Sequence, residues 1–113
     1  MPISNFLNIL KNKNSRKKTT IPNLSANTLV AHRGLQNDYP ENTLLSIKKA
    51  IDAGVKFIEI DIQFSKDKLP IICHDDKFNR LGGIKPFQIK ERNHSEIITQ
   101  PAHEPQRFGD KYI

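Results

Sequence analysis

One stretch of the chain decides the fold: residues 29–64, LVAHRGLQNDYPENTLLSIKKAIDAGVKFIEIDIQF. The apolar run at 29–31 predicts a buried strand that ends at a His-Arg-Gly sequence. Residues 41–53 predict a helix, because four apolar residues recur at helical spacing: Leu44, Ile47, Ala50 and Ile51. Residues 55–64 alternate between two faces and predict a second strand. Strand, helix and strand in this order form a βαβ unit with parallel strands.

A further strand follows too soon for a crossover helix. Residues 69–73 form an apolar run, and the short gap after Phe64 requires an antiparallel hairpin. We predict a two-residue turn at Asp67-Lys68, although Gly would fit the second turn position better than Lys. This register places Asp61 directly opposite His74, with Cβ atoms roughly 4.5–5.5 Å apart.

The composition fits one small domain without disulfides. The chain has 113 residues, of which 36% are hydrophobic and 27% are charged, so its core would be modest. A single cysteine, Cys73, excludes an internal disulfide and favours a cytoplasmic location. No run approaches the ~20 apolar residues of a transmembrane helix.

The net charge of +6 is concentrated at the start of the chain. Residues 1–28 carry five basic residues and no acidic one, whereas the remainder is nearly neutral. We therefore predict a basic, flexible N-terminal extension over 1–28. The alternative is a weak contact of this tail with an anionic membrane surface, which would make the protein membrane-peripheral. No nucleic-acid partner is expected, because no aromatic residues are interleaved with the basic run.

The polar residues of the strand regions stand at positions where catalytic groups occur in β/α barrels. His32 and Arg33 end the first strand, Glu59 and Asp61 share one face of the second, and His74 ends the third. The histidines can exchange protons near neutral pH, and an arginine fork matches a phosphate. The alternative for each histidine alone is an imidazole without a catalytic role.

Two carboxylates on one strand face repel each other, and a divalent cation would relieve that repulsion. Their hard oxygen ligands suit Ca²⁺ or Mg²⁺. The alternative for Glu59 and Asp61 is an acidic edge that faces solvent, since an antiparallel sheet often has one wet face.

Four blocks together resemble the glycerophosphodiester phosphodiesterases: VAHRG at 30–34, PENT at 40–43, IEIDI at 58–62 and PIICHD at 70–75. The resemblance implies an α/β fold, the N-terminal part of a truncated (β/α)8 TIM barrel of the PLC-like phosphodiesterase type. It also implies a hydrolase of glycerophospholipid metabolism, which cleaves small glycerophosphodiesters, such as glycerophosphocholine, to glycerol 3-phosphate and an alcohol.

The resemblance further implies the roles of individual residues. His32 and His74 match the catalytic acid–base pair, without an indication of which is the acid. Arg33 matches the residue that contacts the substrate phosphate.

Four acidic or amide positions complete the match. Glu59 and Asp61 correspond to metal ligands for a divalent cation, Ca²⁺ or Mg²⁺. Glu41 and Asn42 belong to a block that supports the site, with Glu41 near the metal.

A barrel of this type needs ~250 residues. We therefore interpret residues 29–113 as the N-terminal part of a glycerophosphodiester phosphodiesterase domain, with a loop-rich insertion at 82–113 that includes a helical turn near 91–98. The family's third metal carboxylate has no counterpart in the chain, so we expect the isolated chain to be an incomplete catalytic domain with little or no activity. The alternative is a non-catalytic remnant of an interrupted or shortened gene.

Overall fold

A computed structural model of the chain describes residues 28–113. Its elements, in chain order, are β1 (Val30–His32), α1 (Leu44–Asp52), β2 (Phe57–Glu59), β3 (Ile62–Phe64), β4 (Pro70–Ile72), a 3-10 turn (Asn79–Leu81), a second 3-10 turn (Ile89–Glu91), α2 (His94–Ile97) and α3 (Pro105–Phe108). No helix among these residues is long and apolar enough to span a membrane. The predicted basic extension, apart from Thr28, lies outside the described residues.

The first half of the described chain forms the predicted βαβ unit. Strands β1 and β2 are parallel, with Val30 opposite Phe57 and His32 opposite Glu59. Helix α1 connects them and contributes to a small buried core of Ala31, Leu35, Ala50, Ala53 and Val55. The prediction of parallel pairing is therefore confirmed.

Helix α1 begins three residues later than predicted and presents a different face. Thr43 is its N-cap and forms a reciprocal capping box with Ser46, which excludes residues 41 and 42 from the helix. The predicted apolar face is wrong in part, because Leu44 is 85% and Ile51 is 59% exposed. The buried positions are instead the small residues Ser46 and Ala50.

Close approach of α1 to the end of β1 explains this choice of small residues. The Ser46 hydroxyl donates to the carbonyl oxygen of Arg33 at 3.1 Å. A Cβ atom at Gly34 would lie 2.5 Å from Ser46 Oγ, and Gly34 has a φ of +79°. Only glycine fits that position, so the contact that orients the residues after β1 depends on two small side chains.

The predicted single strand over 55–64 is divided in two, and this prediction is wrong. Strand β2 pairs with β1, whereas β3 pairs with β4 in a separate two-stranded sheet. The interruption falls at Ile60-Asp61, where Asn42 Oδ1 accepts from the Asp61 N–H at 3.4 Å. A side chain from the turn before α1 thus contacts the backbone between the two sheets.

The hairpin is present, but its register differs by one residue from the prediction. Ile62 lies opposite Ile72, and the Cys73 N–H donates to the Asp61 carbonyl oxygen at 3.0 Å. Asp61 is therefore opposite Cys73 and not His74. The reason is a three-residue loop in place of a two-residue turn, which ends with Lys68 in the left-handed region at a φ of +64°.

The residues after β4 are not simply loop. They enclose a second buried cluster beneath β4, formed by Ile71, Cys73, Phe78, Leu81, Phe87, Ile89 and Ile97. The predicted helical turn near 91–98 is observed as α2, which Asn93 and Glu96 cap reciprocally. This packing fixes the segment after His74 against the hairpin.

We predict that Lys68→Gly stabilises the protein. A left-handed conformation is strained for lysine and easily adopted by glycine, so the free energy of unfolding should rise by roughly 1 kcal/mol in urea denaturation. Lys66→Gly is the matched control, because it removes the same charge from the same loop at a residue without a positive φ. An equal or smaller gain for Lys68→Gly than for Lys66→Gly would contradict the prediction.

Candidate active site

The parallel register of β1 and β2 brings His32 beside Glu59. The imidazole Nε2 of His32 lies 3.7 Å from Glu59 Oε2, and Gln36 contacts the other ring nitrogen. Glu59 Oε2 is itself buried and has no hydrogen-bond partner among residues 28–113. An unsatisfied buried carboxylate oxygen is costly, so this atom is a candidate ligand for a cation.

Arg33 lies between two carboxylates at the end of β1. Its Nε is 2.9 Å from Asp61 Oδ2, and its Nη1 donates to Glu41 Oε1 at 3.2 Å. The contact with Asp61 is an ion pair without hydrogen-bond alignment, because the Nε–H finds no aligned acceptor among the described residues. The side chain is only 15% exposed, and a φ of +55° turns the chain at this residue. The guanidinium is therefore held in a defined orientation.

The turn before α1 supplies the two predicted supporting residues, and both are buried. Asn42 donates from Nδ2 to Asp61 Oδ2 at 2.9 Å, and its own N–H donates to the Arg33 carbonyl oxygen at 3.0 Å. Asn42 also has a left-handed φ of +56°. The structure thus brings together Arg33, Glu41, Asn42 and Asp61 in one hydrogen-bonded group.

Arg80 was not among the residues predicted from the sequence, yet it joins two of the predicted motifs. One side of its guanidinium donates to both oxygens of Glu41, at 2.7 and 3.1 Å. The other side donates to both oxygens of Asp75, at 2.8 and 3.1 Å. The segment that carries Arg80 has no hydrophobic period and begins several residues after His74, so the sequence offered only an isolated arginine.

His74 does not lie beside Asp61 through strand pairing, which corrects the predicted juxtaposition. Its ring is exposed, and its Nδ1 is 2.8 Å from Asp75 Oδ1. Its connection to the other predicted residues runs through Asp75, Arg80 and Glu41. His32 and His74 therefore have different carboxylate neighbours.

The residue that does face Asp61 across the hairpin is Cys73, which is fully buried. Burial raises the pKa of its thiol to about 11. A thiol with this pKa is protonated at neutral pH, which argues against a nucleophilic role for Cys73.

Glu104 enters the group from the far end of the described chain. It is 1% exposed, and its carboxylate accepts from the Glu41 N–H at 2.6 Å and from Arg107 at 2.9 Å. Its φ of +49° is a further left-handed conformation. The predicted loop-rich segment therefore contacts and supports the candidate site, a role that its sequence did not indicate.

The charges in this group determine its protonation. Burial acts to raise the pKa of Glu41, but the hydrogen bonds and charges of Arg80 and Arg33 outweigh it and hold that pKa below the usual value. Hydrogen bonds from Arg80, followed by that of His74, lower the pKa of Asp75 to about 2. Both carboxylates are therefore ionised at neutral pH.

The residues present fit a cation only in part. Glu59 offers an oxygen that lies near the His32 ring and has no hydrogen-bond partner among residues 28–113, and Asp61 follows two residues later. Asp61 Oδ2 is already engaged by Arg33 and Asn42. Within the described part of the chain, no three His, Cys, Asp or Glu residues are arranged to hold a metal ion. These two carboxylates could supply part of a ligand set, with the remaining ligands from elsewhere.

The low pKa of Asp75 makes stability dependent on pH. The pKa of an aspartate in an unfolded chain is about 3.9, so the stabilisation is complete above about pH 5 and is lost as the pH falls towards 2. Between pH 5 and pH 2.5, the free energy of unfolding, measured by thermal denaturation, should fall on the order of 1 kcal/mol more for the unmodified protein than for Asp75→Asn, after allowance for solvent screening. Parallel losses in the two proteins would contradict this prediction.

Comparison with known proteins agrees with the resemblance seen in the motifs. The sequence profile of the "Glycerophosphoryl diester phosphodiesterase family" matches residues 32–109. A glycerophosphodiester phosphodiesterase of Bacillus altitudinis is 36% identical over 69 residues, which are 61% of this chain and 28% of that enzyme.

Two solved structures share the fold. The glycerophosphodiester phosphodiesterase of Agrobacterium tumefaciens superposes with a TM-score of 0.66 at 29% identity, over 75% of this chain and 36% of that one. An Oleispira antarctica phosphodiesterase, in complex with the product sn-glycerol-3-phosphate, gives a TM-score of 0.65 at 35% identity, over 74% and 32% of the two chains.

The chain thus spans about a third of the length of the relatives it matches. The described elements correspond to the N-terminal portion of a (β/α)8 barrel, as the sequence predicted. The profile match and the hydrogen-bonded group at the end of β1 lead to one conclusion: the chain belongs to the glycerophosphodiester phosphodiesterase family.

Proposed function

We propose that this chain supplies the phosphate-binding and proton-transfer part of an active site that hydrolyses glycerophosphodiesters to glycerol 3-phosphate and an alcohol. One observation carries the proposal: the turn at 40–42 and the ends of β1 and β2 bring His32, Arg33, Glu59 and Asp61 to one edge of the fold. Support also comes from the Oleispira relative, whose structure contains sn-glycerol-3-phosphate.

Arg33 is the group proposed to bind the phosphate. Its planar guanidinium can donate two parallel hydrogen bonds to phosphate oxygens, and its partners Glu41 and Asp61 restrict its rotation. A guanidinium that is already oriented loses less conformational entropy when it binds an anion. The same carboxylates compete for the guanidinium, so the phosphate must replace part of their contact.

The two histidines are proposed to move the protons. One would activate the nucleophile, either water or the glycerol 2-hydroxyl, and the other would protonate the leaving alkoxide. Glu59 Oε2 lies 3.7 Å from His32 Nε2, and Asp75 Oδ1 lies 2.8 Å from His74 Nδ1. Each imidazole therefore has a carboxylate neighbour that could orient it during proton transfer.

A divalent cation, Ca²⁺ or Mg²⁺, is the proposed cofactor. When bound, it would withdraw charge from the phosphate oxygens. Glu59 and Asp61 would contribute carboxylate oxygens to it, and Glu59 Oε2 is available because it has no hydrogen-bond partner among residues 28–113. Asn42 would hold the Asp61 carboxylate in place.

The other predictions stand as part of this proposal. A cytoplasmic location, a basic extension over 1–28 and an insertion over 82–113 fit a hydrolase of small phosphodiesters. The alternative of a non-catalytic remnant predicts neither phosphate nor metal binding, so the two measurements below distinguish it.

The phosphate site can be tested without turnover. We expect sn-glycerol 3-phosphate to shift the NMR resonances of Arg33 and its neighbours in the 113-residue chain. Arg33→Lys keeps the charge but loses the fork, so binding should weaken by roughly tenfold to a hundredfold, as expected when charge-assisted hydrogen bonds of roughly 1.5–3 kcal/mol are lost.

Arg92→Lys is the matched control, since it makes the same substitution at an arginine that is exposed and pairs with Glu96. Equal affinity of Arg33→Lys and Arg92→Lys for sn-glycerol 3-phosphate would show that Arg33 does not bind the phosphate. Absence of any specific shift in the unmodified chain would favour the non-catalytic alternative.

The metal site is tested by titration with Mg²⁺ and Ca²⁺. Resonances of Glu59 and Asp61 should move as the cation binds, and Glu59→Gln should weaken binding by about tenfold or more because one anionic ligand is lost. Glu91→Gln removes the same charge from an exposed position at the end of the 3-10 turn Ile89–Glu91 and should bind normally. Unchanged affinity in Glu59→Gln would show that Glu59 is not a ligand.

A further inference from the structure

We propose that Arg80 is a positioning residue that fixes His74 in relation to Glu41 and Arg33. The inference rests on the proposed function, because that function makes His74 a proton-transfer group. Arg80 itself touches neither histidine and is separated from Glu41 by 39 positions of sequence. It would act on His74 through the Asp75 carboxylate.

Arg80 donates hydrogen bonds from both sides of its guanidinium. Nε and Nη2 donate to the two oxygens of Asp75, while Nη1 and Nη2 donate to the two oxygens of Glu41. A third carboxylate, that of Glu104, lies 3.6 Å from Nη1. Only arginine can bind two carboxylates in this forked manner, because lysine presents its charge at a single atom.

The backbone at Arg80 is held independently of these ion pairs. The residue lies in the 3-10 turn Asn79–Leu81, between the buried side chains of Phe78 and Leu81. The turn ends at Gly82, which has a left-handed φ of +103°. Apolar packing therefore holds the backbone turn from which the Arg80 guanidinium reaches Asp75 and Glu41.

Asp75 transmits this orientation to His74. Its Oδ1 receives both Arg80 Nη2 at 3.1 Å and His74 Nδ1 at 2.8 Å. The bidentate contact with Arg80 fixes the plane of the carboxylate, and the carboxylate fixes the rotation of the exposed imidazole. The strong lowering of the pKa of Asp75, to about 2, agrees with this arrangement.

The other end of the bridge reaches the proposed phosphate site. Glu41 Oε1 accepts from both Arg80 and Arg33, at 2.7 and 3.2 Å. His74 and Arg33, which follow strands of different sheets, thereby share one chain of charged contacts. Strand pairing does not bring them together, since β1 pairs with β2 and β4 pairs with β3 in separate sheets.

The test uses NMR of the 113-residue chain in the absence of any phosphate ligand. In the unmodified protein the Asp75 carboxylate should remain ionised down to pH 3. In Arg80→Gln its pKa should rise towards the ordinary value of about 3.9, and proton affinity should increase by about tenfold or more. The order parameter of the His74 ring should fall in the same variant.

Arg92→Gln and Arg92→Lys provide matched controls, because they change an arginine whose ion pair with Glu96 lies outside this group. Both should leave Asp75 and His74 unchanged. Arg80→Lys keeps a charge near the carboxylates and should retain the amide spectrum of the folded chain, but it should still lower the order of the His74 ring. This variant decides the question if Arg80→Gln does not fold.

Normal order of the His74 ring in folded Arg80→Gln or in Arg80→Lys would overturn the inference. An Asp75 pKa near 4 in the unmodified chain would do so as well. Because no ligand is present, failure of glycerol 3-phosphate binding would count against the proposed function alone.

Discussion

The buried carboxylate of Glu41 is the constraint on which the rest of the site depends. It is 3% exposed and ionised, and an unpaired charge in such a position would be strongly destabilising. Two guanidinium groups, those of Arg33 and Arg80, resolve this by approaching from different segments. Satisfying one acidic residue therefore brings the end of β1 and the segment after β4 to the same place.

Most of the described non-glycine residues with a left-handed backbone conformation belong to the same group. The described chain has four non-glycine residues with positive φ: Arg33, Asn42, Lys68 and Glu104. Three of them belong to the network around Glu41, and each makes a hydrogen bond or ion pair within it. Strained conformations persist only where surrounding contacts determine them, and they tend to gather at functional sites. The exception, Lys68, arises from the geometry of the hairpin loop.

The two small cores explain how short elements hold this group in place. One core lies between α1 and β1, and the other packs the residues after β4 beneath the hairpin. The network joins them, because Glu41 precedes α1 and Arg80 lies within the second cluster's segment. The ion pair between Glu41 and Arg80 thus connects the two apolar cores, which are formed by successive parts of the chain.

The sequence by itself determined the family, the βαβ unit and the identity of the polar residues at the strand ends. These features are local: a helical or alternating period and a short motif depend on residues that are close along the chain. Tertiary structure decided the hairpin register, the division of the second strand at Ile60-Asp61, and the recruitment of Arg80 and Glu104. The register follows from the three-residue hairpin loop, which ends with Lys68 in the left-handed region. The other features depend on polar contacts across long sequence separations, and no local pattern records which distant partner will make them.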